Sequence, residues 1–415
     1  MAGTRGGLGR VVAMVVGLVV LICGLLAGTA RAGDYAVAQC GWGVGVELDP
    51  SLPRTEGEAA YLRPGFCNGA APGSPPGMEF DLGIAYDGVQ GIARARWAAP
   101  PGTSFVGARF TWTGQLAVEV LQIAGIVDDK GFEGIAIEVG HSAPLLVAKA
   151  FYPVPAFEVR LECLLLGPDG CVRSVPSSLW LSGLTLTVDD PVPPRARLGG
   201  TLPVAGWHRG TVSLEVAGED PVGAGVYRTE ATVDGTAVLA SPVACAAATI
   251  EGALRATRLR PCPASAAGGA EVDTTKLADG VHTLRGCAVD FSGGVGCAAA
   301  VQVQVDNSPP GVEFAAAPEG QVAAAVSDAF SGPAAGTIAV RRADSESWTD
   351  LPTTLEPGGG GKATLRAQLP DLGDGAFFFR ATATDGAGNG ASAQFRASGT
   401  AAEVRRQVAG AGPAR

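Results

Sequence analysis

The sequence predicts an all-β protein built from three consecutive β-sandwiches. Segments in which apolar and polar residues alternate recur along the chain, and that period of two is typical of half-buried strands. Glycine and proline account for 61 and 29 of the 415 residues, but they are aperiodic and fall between the strand-like segments, as turn residues do. A stretch that begins at Leu277 is written again nearer the C-terminus. Repetition of such a unit indicates tandem modules.

The N-terminal end has the features of a secretory signal peptide, which we predict to span residues 1–32. Arg5 and Arg10 precede an uncharged apolar run, and Ala30-Arg31-Ala32 forms a small-residue cleavage site. The alternative is an uncleaved anchor, in which case the protein would contact the membrane only through this segment. We therefore expect the mature protein to be secreted or held at the cell surface.

The net charge and the absence of catalytic motifs argue against several classes of function. The formal net charge is −10 and no basic cluster is present, so we predict no nucleic-acid partner. The sequence has no G-x-S-x-G, H-E-x-x-H or P-loop motif, and we predict a non-enzymatic protein without a cofactor. A weaker alternative is a glycoside-active enzyme that uses Glu133 and Glu138. These residues are five apart, so on a regular strand they would point to opposite faces, whereas one catalytic face needs an even separation.

The cysteines predict disulfides. Eight of the nine cysteines follow the signal segment, and an even number in an exported chain is typical of a disulfide framework. Zinc ligation is the rival interpretation, but the sequence has no C-x-x-C pair and its three histidines are scattered. Each neighbouring pair closes a compact loop around glycine or proline, so we predict four bridges: Cys40–Cys67, Cys163–Cys171, Cys245–Cys262 and Cys287–Cys297.

Residues 33–189 are predicted to form the first sandwich, with jelly-roll or lectin-like connectivity among the options. Its strand patterns include the alternating run from Val106 to Trp112. Exposed aromatic rings stack well on sugar rings, so Trp42, Trp97 and Trp112 are candidate glycan-binding residues. The alternative is that these rings fill the core, as most aromatic side chains do. Trp42 is the least suited to a core because it lies among glycines.

Two further modules are predicted at residues 190–306 (module 1) and 307–398 (module 2). Five residues of module 1 have the same residue type 95 positions later: Leu277, Asp279, Gly280, Asp290 and Gly293. In both copies a glycine-bearing turn follows the aspartate and separates two apolar strands, which indicates a hairpin. Cys287 and Cys297 flank the first turn symmetrically, whereas Thr382 and Ser392 occupy the matching positions of the second copy. A cross-strand bridge is therefore expected in one module alone.

Proline-bearing joints open both modules. The first joint is Asp190–Pro194 and the second joint is Asp306–Pro310, and their prolines restrict the angles between successive sandwiches. Module 1 is longer than module 2 in the interval that contains Cys245 and Cys262, so the loop between these cysteines is the candidate insertion. Residues 399–415 are rich in glycine and alanine, and we predict a disordered tail there.

The aspartate-rich loops, the hairpin turn and the V-D-N-x-P-P exit resemble the bacterial Ig-like repeats of surface and secreted proteins. Asp374-Gly375 and the segment from Asp385 to Asn389 carry this resemblance best. With the segment from Trp97 to Thr103, the chain resembles exported actinobacterial proteins of unknown function in which an N-terminal β-sandwich precedes Ig-like repeats. The resemblance implies Ig-like β-sandwich modules that act as spacers or adhesive units.

The same resemblance implies calcium at the joints between modules. Calcium takes roughly six to eight oxygen ligands. They would then come from Asp190, Asp306 and Asn307 at the joints, with Asp189, Asp220 and Asp328 as further candidates. The alternative is that these residues cap turns through their own backbone.

We therefore predict a non-enzymatic protein whose N-terminal sandwich binds an extracellular glycan and is carried on two Ig-like modules. The alternative is a purely structural or protein-binding adhesin, whose partner is a surface protein recognised through sheet edges or module faces.

Overall fold

A computed structural model of the chain describes residues 33–41, 44, 46–50, 55–56, 60–64, 67, 76–82, 91–115, 120–139, 144–163 and 177–411. The predicted signal peptide, Trp42 and Cys171 lie outside these ranges. The described chain is almost entirely β, which confirms the predicted fold class. None of its helices combines the length and the hydropathy needed to cross a membrane.

The N-terminal sandwich contains two sheets. Its strands are β1 (Asp34–Gln39), β2 (Thr55–Glu56), β3 (Ala60–Arg63), β4 (Met78–Leu82), β5 (Ile92–Ala98), β6 (Ser104–Gln115), β7 (Val120–Asp128), β8 (Gly131–Val139), β9 (Leu145–Val154), β10 (Ala156–Cys163) and β11 (Ser177–Asp189). The first sheet is centred on β11, which pairs with β1 and β4 along one side and with β6 along the other. Beyond β6 lies β9. The second sheet has the order β2-β5-β10-β7-β8.

Large apolar side chains fill the space between these sheets. Phe157, Val159 and Leu161 alternate along β10 and are fully buried, as expected for a strand with one face toward a core. Phe110 and Trp112 meet edge to face with ring centroids 5.4 Å apart. The period-two pattern therefore encodes both the strands and the core of this sandwich.

Module 1 and module 2 are each built from two sheets. The strands of module 1 are β12 (Arg195–Gly200), β13 (Trp207–His208), β14 (Thr211–Glu219), β15 (Val226–Val233), β16 (Thr236–Pro242), β17 (Ala247–Ile250), β18 (Ala253–Ala256), β19 (Ser265–Asp273), β20 (Gly280–Asp290), β21 (Val295–Cys297) and β22 (Val301–Val305). Those of module 2 are β23 (Gly311–Ala315), β24 (Gln321–Ser327), β25 (Pro333–Arg342), β26 (Thr349–Leu351), β27 (Thr353–Pro357), β28 (Lys362–Gln368), β29 (Gly375–Asp385) and β30 (Gly390–Gly399).

The inner strands of the sheets correspond between the two modules. Module 1 pairs β12-β14-β19 in one sheet and β13-β22-β20-β15-β16 in the other, with β21 also on β20. Module 2 pairs β23-β24-β28-β27 and β26-β25-β29-β30. In each module the strand that carries the repeated hairpin, β20 or β29, lies inside its sheet.

The repeated hairpin turn forms as predicted in both modules. Asp290 N donates to Gly294 O over 3.0 Å, and Asp385 N donates to Asn389 O over 3.0 Å. Gly293 and Gly388 have φ of 91° and 87°, a left-handed conformation that glycine adopts without a steric penalty. The two glycines that recur in the sequence therefore occupy the position at which the turn needs them.

The insertion of module 1 forms a hairpin that joins the N-terminal sandwich. Strands β17 and β18 pair with each other, and β18 pairs in parallel with β1 through Ala256 and Val37. Side chains reinforce this contact, since Tyr35 Oη donates to Leu259 O over 2.6 Å and Arg255 Nη1 donates to Thr185 Oγ1 over 2.8 Å. Module 1 thus extends the first sheet of the N-terminal sandwich.

Three of the four predicted disulfides are present: Cys40–Cys67, Cys245–Cys262 and Cys287–Cys297. The fourth predicted pair, Cys163–Cys171, involves side chains outside the described part. Cys287 and Cys297 lie directly opposite each other on β20 and β21, and Thr382 and Ser392 have the same register on β29 and β30. The bridge therefore occupies a position that module 2 fills with hydroxyl residues.

The prediction of a disordered tail at 399–415 is wrong for its first part, because Ala401–Ala409 form helix α1. Thr400 and Glu403 make a capping box that satisfies donors at the N-terminus of the helix. Val404 and Val408, one helical turn apart, are buried in the core of module 2. Capping and apolar packing together hold this short helix on the module.

Candidate functional site

Three aspartate side chains converge where the N-terminal sandwich meets module 1. Asp190 directly follows β11, Asp220 directly follows β14, and Asp290 is the last residue of β20. All three residues are 0% exposed, and one carboxylate oxygen from each lies within 4.8 Å of the others. Three strands thus bring their C-terminal ends to one point. We call these residues the first aspartate cluster.

Backbone and hydroxyl donors satisfy only part of the first aspartate cluster. Asp220 Oδ1 and Asp290 Oδ2 are buried and accept no hydrogen bond from the residues that the structure describes. The other carboxylate oxygens accept the following bonds: Ala224 N to Asp190 at 2.8 Å, Val192 N to Asp190 at 3.4 Å, Gly225 N to Asp220 at 2.6 Å, Ser292 Oγ to Asp290 at 2.6 Å and Gly294 N to Asp290 at 2.8 Å.

Burial and mutual repulsion dominate the electrostatics of this cluster. Burial, with the negative charges of Asp290 and Asp220, raises the pKa of Asp190 to about 6 despite the hydrogen bond from Ala224 N. Burial and the charge of Asp290 raise the pKa of Asp220 to about 6 in the same way, and burial raises the pKa of Asp290. The neighbouring cation is Arg260, which donates through Nη2 to the backbone carbonyl of Asp220.

A second aspartate cluster lies between module 1 and module 2 and has the same construction. Asp306 directly follows β22, Asp328 directly follows β24, and Asp385 is the last residue of β29. These residues are 0%, 7% and 3% exposed, and one carboxylate oxygen from each lies within 4.8 Å of the others. The repeat therefore recreates not only a hairpin but also the convergence of three carboxylates.

Neighbouring side chains donate hydrogen bonds to the carboxylates of the second aspartate cluster. Ser331 Oγ donates to Asp306 Oδ2 over 2.5 Å, and Asn389 Nδ2 donates to Asp385 Oδ2 over 2.9 Å. Asn389 Nδ2 also donates to the carbonyl oxygen of Asp306 over 2.9 Å. Protein groups therefore compensate the carboxylates here.

The predicted calcium ligands are distributed over both clusters. Asp190 and Asp220 belong to the first, Asp306 and Asp328 belong to the second, and Asp189 belongs to neither. Asn307 belongs to neither. Its Oδ1 accepts from Gly210 N over 2.9 Å and its Nδ2 donates to Thr274 O over 3.0 Å, so it fastens a loop of module 1.

Asp290 and Asp385 also belong to these clusters, although the sequence pattern did not single them out as ligands. The signal was present, because both are repeated aspartates of the hairpin pattern. The hairpin pattern by itself predicts turn residues at these positions, which they also are. An aspartate that recurs at the end of a long apolar strand can therefore form the turn through its backbone and also contribute its carboxylate to a cluster at the joint.

The candidate glycan-binding tryptophans need a correction. Trp97 and Trp112 are both 0% exposed and lie in the core of the N-terminal sandwich, where Trp97 packs against Phe157 with ring centroids 5.9 Å apart. A ring without exposed surface cannot stack on a sugar. They belong to the apolar alternation that builds the core. Trp42 lies outside the described residues.

A groove of about 660 Å³ crosses the first sheet of the N-terminal sandwich. Small residues of β1, β6 and β9 line it, and none of its lining residues is aromatic. Arg109 and Lys149 come from the sandwich, whereas Leu254 and Arg255 come from the hairpin of module 1. The groove is thus shared by the two units.

Glu133 and Glu138 lie on β8, whose pairing with β7 shifts register between Ala124 and Gly125. The expectation of opposite faces assumed a regular strand, so it does not apply across this irregularity. Glu133 is exposed and accepts a 3.4 Å hydrogen bond from Tyr152 Oη. The side chain of Glu138 is outside the described part.

No protein-family model and no curated protein matches this chain. Among solved structures, fibronectin(III)-like modules of CbhA from Clostridium thermocellum are 13% identical, with 48% of this chain and 92% of that chain covered and a TM-score of 0.24. An I-band fragment of titin is 10% identical, with 74% and 91% covered and a TM-score of 0.25. A glycoside hydrolase domain, Endo-D, from Streptococcus pneumoniae is 12% identical, with 66% and 44% covered and a TM-score of 0.23. At such scores these similarities carry no argument about activity or partners.

Proposed function

We propose that this chain is an exported, non-enzymatic adhesive protein whose N-terminal sandwich binds a surface protein through the edge strand β9. In this proposal module 1 fixes the orientation of that sandwich. The observation that carries it is the asymmetry of the first N-terminal sheet. Module 1 covers one edge of the sheet with its hairpin, and β9 lies at the opposite edge.

The covered edge supports a fixed arrangement of the two units. Strand β18 continues the sheet beyond β1, and Glu47 on the sandwich accepts from Leu259 N of module 1 over 2.6 Å. Backbone pairing and partly buried hydrogen bonds resist rotation more strongly than a flexible linker does. The N-terminal sandwich would therefore be presented in one direction.

The edge strand β9 has the features of a surface for strand addition. In the described part of the chain it pairs with β6 alone, so one side of its backbone is free to pair. Leu146 and Tyr152 on this strand are 56% and 50% exposed. Unpaired backbone groups supply hydrogen bonds to an added strand, and exposed apolar side chains supply specificity. Ala148, Lys149 and Ala150 connect this edge to the groove.

A protein partner suits this surface better than a glycan. Trp97 and Trp112 are buried, and the groove beside β9 lacks an aromatic lining, so the tryptophans expected to stack on a sugar are not available there. Tyr152 is the exposed aromatic ring on β9 itself. Export is supported by the predicted signal peptide and by three disulfides, which are typical of oxidising compartments.

The test is binding of the purified full-length mature chain to intact cells of the producing organism. Leu146→Glu places a charge on the proposed contact and should weaken binding at least about tenfold. Val281→Glu is the matched control, because Val281 is 61% exposed on module 1. It should leave binding unchanged.

Treatment of the cells distinguishes the partner class. Protease treatment should abolish binding, whereas periodate oxidation of glycans should leave it intact. Loss of binding after periodate alone would replace the protein partner with a glycan. Equal loss in the Leu146 and Val281 variants would move the binding surface away from β9.

A further inference from the structure

The first aspartate cluster holds more buried negative charge than the described protein groups compensate. Asp220 Oδ1 and Asp290 Oδ2 lack a hydrogen-bond partner among the described residues, and both side chains are fully buried. An unsatisfied buried carboxylate oxygen is strongly unfavourable. Arg260 offsets part of the charge, but its guanidinium donates to a backbone carbonyl and not to a carboxylate.

The second aspartate cluster shows how the same fold compensates three carboxylates without a ligand. Ser331 N donates to Asp306 Oδ2 as Ala224 N donates to Asp190 Oδ2, so Ser331 and Ala224 are equivalent. Asn389 and Gly294 are equivalent because each donates its backbone N–H to the aspartate that ends the hairpin strand. Module 2 therefore has a hydroxyl and a carboxamide where module 1 has a methyl group and a hydrogen atom.

We infer that the first aspartate cluster binds one calcium ion, with Asp190, Asp220 and Asp290 as its protein ligands, and that the second aspartate cluster binds none. The ion supplies the positive charge that Ser331 and Asn389 replace by hydrogen bonds at the second joint. The inference does not depend on the partner proposed for β9.

The ligand set and its dimensions suit calcium. All three residues offer carboxylate oxygens, which hard cations prefer over the nitrogen and sulfur ligands typical of zinc. Calcium–oxygen distances are about 2.3 to 2.6 Å, so oxygens on opposite sides of one ion are about 5 Å apart. One oxygen of each carboxylate lies within 4.8 Å of the other two, so all three can contact one such ion. Second carboxylate oxygens and water would complete the shell.

The position of the ion would couple calcium to the arrangement of the N-terminal sandwich. Asp190 is the first residue of module 1 and directly follows β11, the central strand of that sandwich, while Asp220 and Asp290 lie at the ends of strands inside module 1. One ion bound by all three therefore fastens the sandwich to the module at the joint. Extracellular calcium modules commonly have dissociation constants of about 10⁻⁴ to 10⁻³ M, which is the range we expect.

The test measures calcium binding to the full-length mature chain by titration calorimetry at neutral pH, after removal of divalent ions with a chelator. We expect one ion per chain and a thermal unfolding midpoint for the transition of module 1 that rises by several degrees with calcium, because the ion binds the folded state alone. Asp290→Asn should abolish the binding. Asp385→Asn, its counterpart in the second aspartate cluster, should retain one ion per chain.

A double substitution keeps the test meaningful if Asp290→Asn fails to fold. Ala224→Ser with Gly294→Asn installs the donors of module 2 at the first joint. This variant should fold in the presence of chelator and show neither calcium binding nor a calcium-dependent midpoint.

Three results would overturn the inference. The first is no saturable calcium binding by the native chain. The second is undiminished binding by the folded double variant. The third is a midpoint that responds to acidification and not to calcium, since a shared proton would then neutralise the carboxylates. Equal affinity for magnesium would overturn the assignment to calcium.

Discussion

At matching positions of the shared hairpin, module 1 has Cys287 and Cys297 where module 2 has Thr382 and Ser392. Module 1 also has His282 on β20 where module 2 has Phe377 on β29. Both His282 and Phe377 are buried, at 8% and 2% exposure. Beside the turn the backbone register of the two hairpins is the same. At His282, which pairs with Val303, it differs by one residue from that at Phe377, which pairs with Ala397. Different chemistry stabilises each hairpin.

This difference shows that turn geometry and side-chain chemistry are separable in these modules. The glycine turn and the strand pairing suffice to build the hairpin in both. Module 1 adds groups whose state depends on surroundings, namely a disulfide, an imidazole and uncompensated carboxylates. Module 2 adds apolar rings, internal hydrogen bonds and the packed helix α1. We therefore expect the module that contacts the N-terminal sandwich to be the one sensitive to redox state, cations and pH.

We expect removal of the disulfide to produce the largest difference in stability between the two modules. Replacing Cys287→Thr together with Cys297→Ser gives module 1 the residues of module 2 and should lower its free energy of unfolding by about 2 to 5 kcal/mol, because the unfolded chain is no longer constrained. Denaturant unfolding under nonreducing conditions measures the loss. As a control, Thr382→Ala with Ser392→Ala in module 2 removes only an exposed hydroxyl contact and should cost less than about 1 kcal/mol. Equal losses of stability from the two double substitutions would contradict the expectation that the disulfide stabilises module 1.

The helix α1 is expected to have the next largest effect, and in module 2 alone. Val404→Ala with Val408→Ala removes buried methyl groups from the core and should lower the free energy of unfolding of module 2 by about 2 to 4 kcal/mol. Chemical denaturation that follows the transition of module 2 provides the measurement. Arg405→Ala on the exposed face, whose ion pair with Asp371 is 3.5 Å long, should change stability by no more than about 0.5 kcal/mol. An unchanged free energy of unfolding in the double variant would mean that α1 does not stabilise the module.

The imidazole of His282 is expected to give the smallest effect, visible as a pH dependence confined to module 1. Its Nδ1 lies 2.7 Å from Asp234 Oδ2 and its Nε2 lies 2.7 Å from Ala278 O, so the doubly protonated ring has two acceptors. Burial lowers the pKa of His282, but the bonds to Asp234 and Ala278 outweigh burial and the pKa is raised from its ordinary 6.5.

A raised pKa means that the folded state holds the proton more tightly than the unfolded state. The resulting stabilisation is fully present below pH 6.5 and is lost as the pH rises through the higher folded pKa. His282→Phe, which copies module 2, should remove this slope from plots of unfolding free energy against pH. The effect is small because Asp234 is half exposed and screened by solvent. An unchanged slope in the variant would show that another group causes it.

Local patterns in the sequence predicted much of this fold. Gly293 and Gly388 marked the two turns because a left-handed residue is needed there, and Cys287 with Cys297 marked the cross-strand pair because both flank one turn. The helix α1 also had a local signal that was missed, since Thr400 and Glu403 form a capping-box pattern. Its short length and small residues obscured it.

Local patterns could not predict two features of the fold. These are the burial of Trp97 and Trp112 and the pairing of β18 with β1. An aromatic residue in an alternating strand has the same local pattern whether its face meets a second sheet or solvent. A hairpin inserted in module 1 could pair with any exposed edge, and the pattern does not say which edge is near.

By itself the sequence determined the elements: the strands, the hairpin turns, three of the disulfides and the repetition of a module. These features depend on residues a few positions apart, or on alternation within one strand, so short-range physics suffices. Only the tertiary structure decided that Asp190, Asp220 and Asp290 meet in one buried cluster and that Ser331 and Asn389 compensate its counterpart. Those contacts join residues tens of positions apart on separate strands, and their energies depend on which groups the fold excludes from water together.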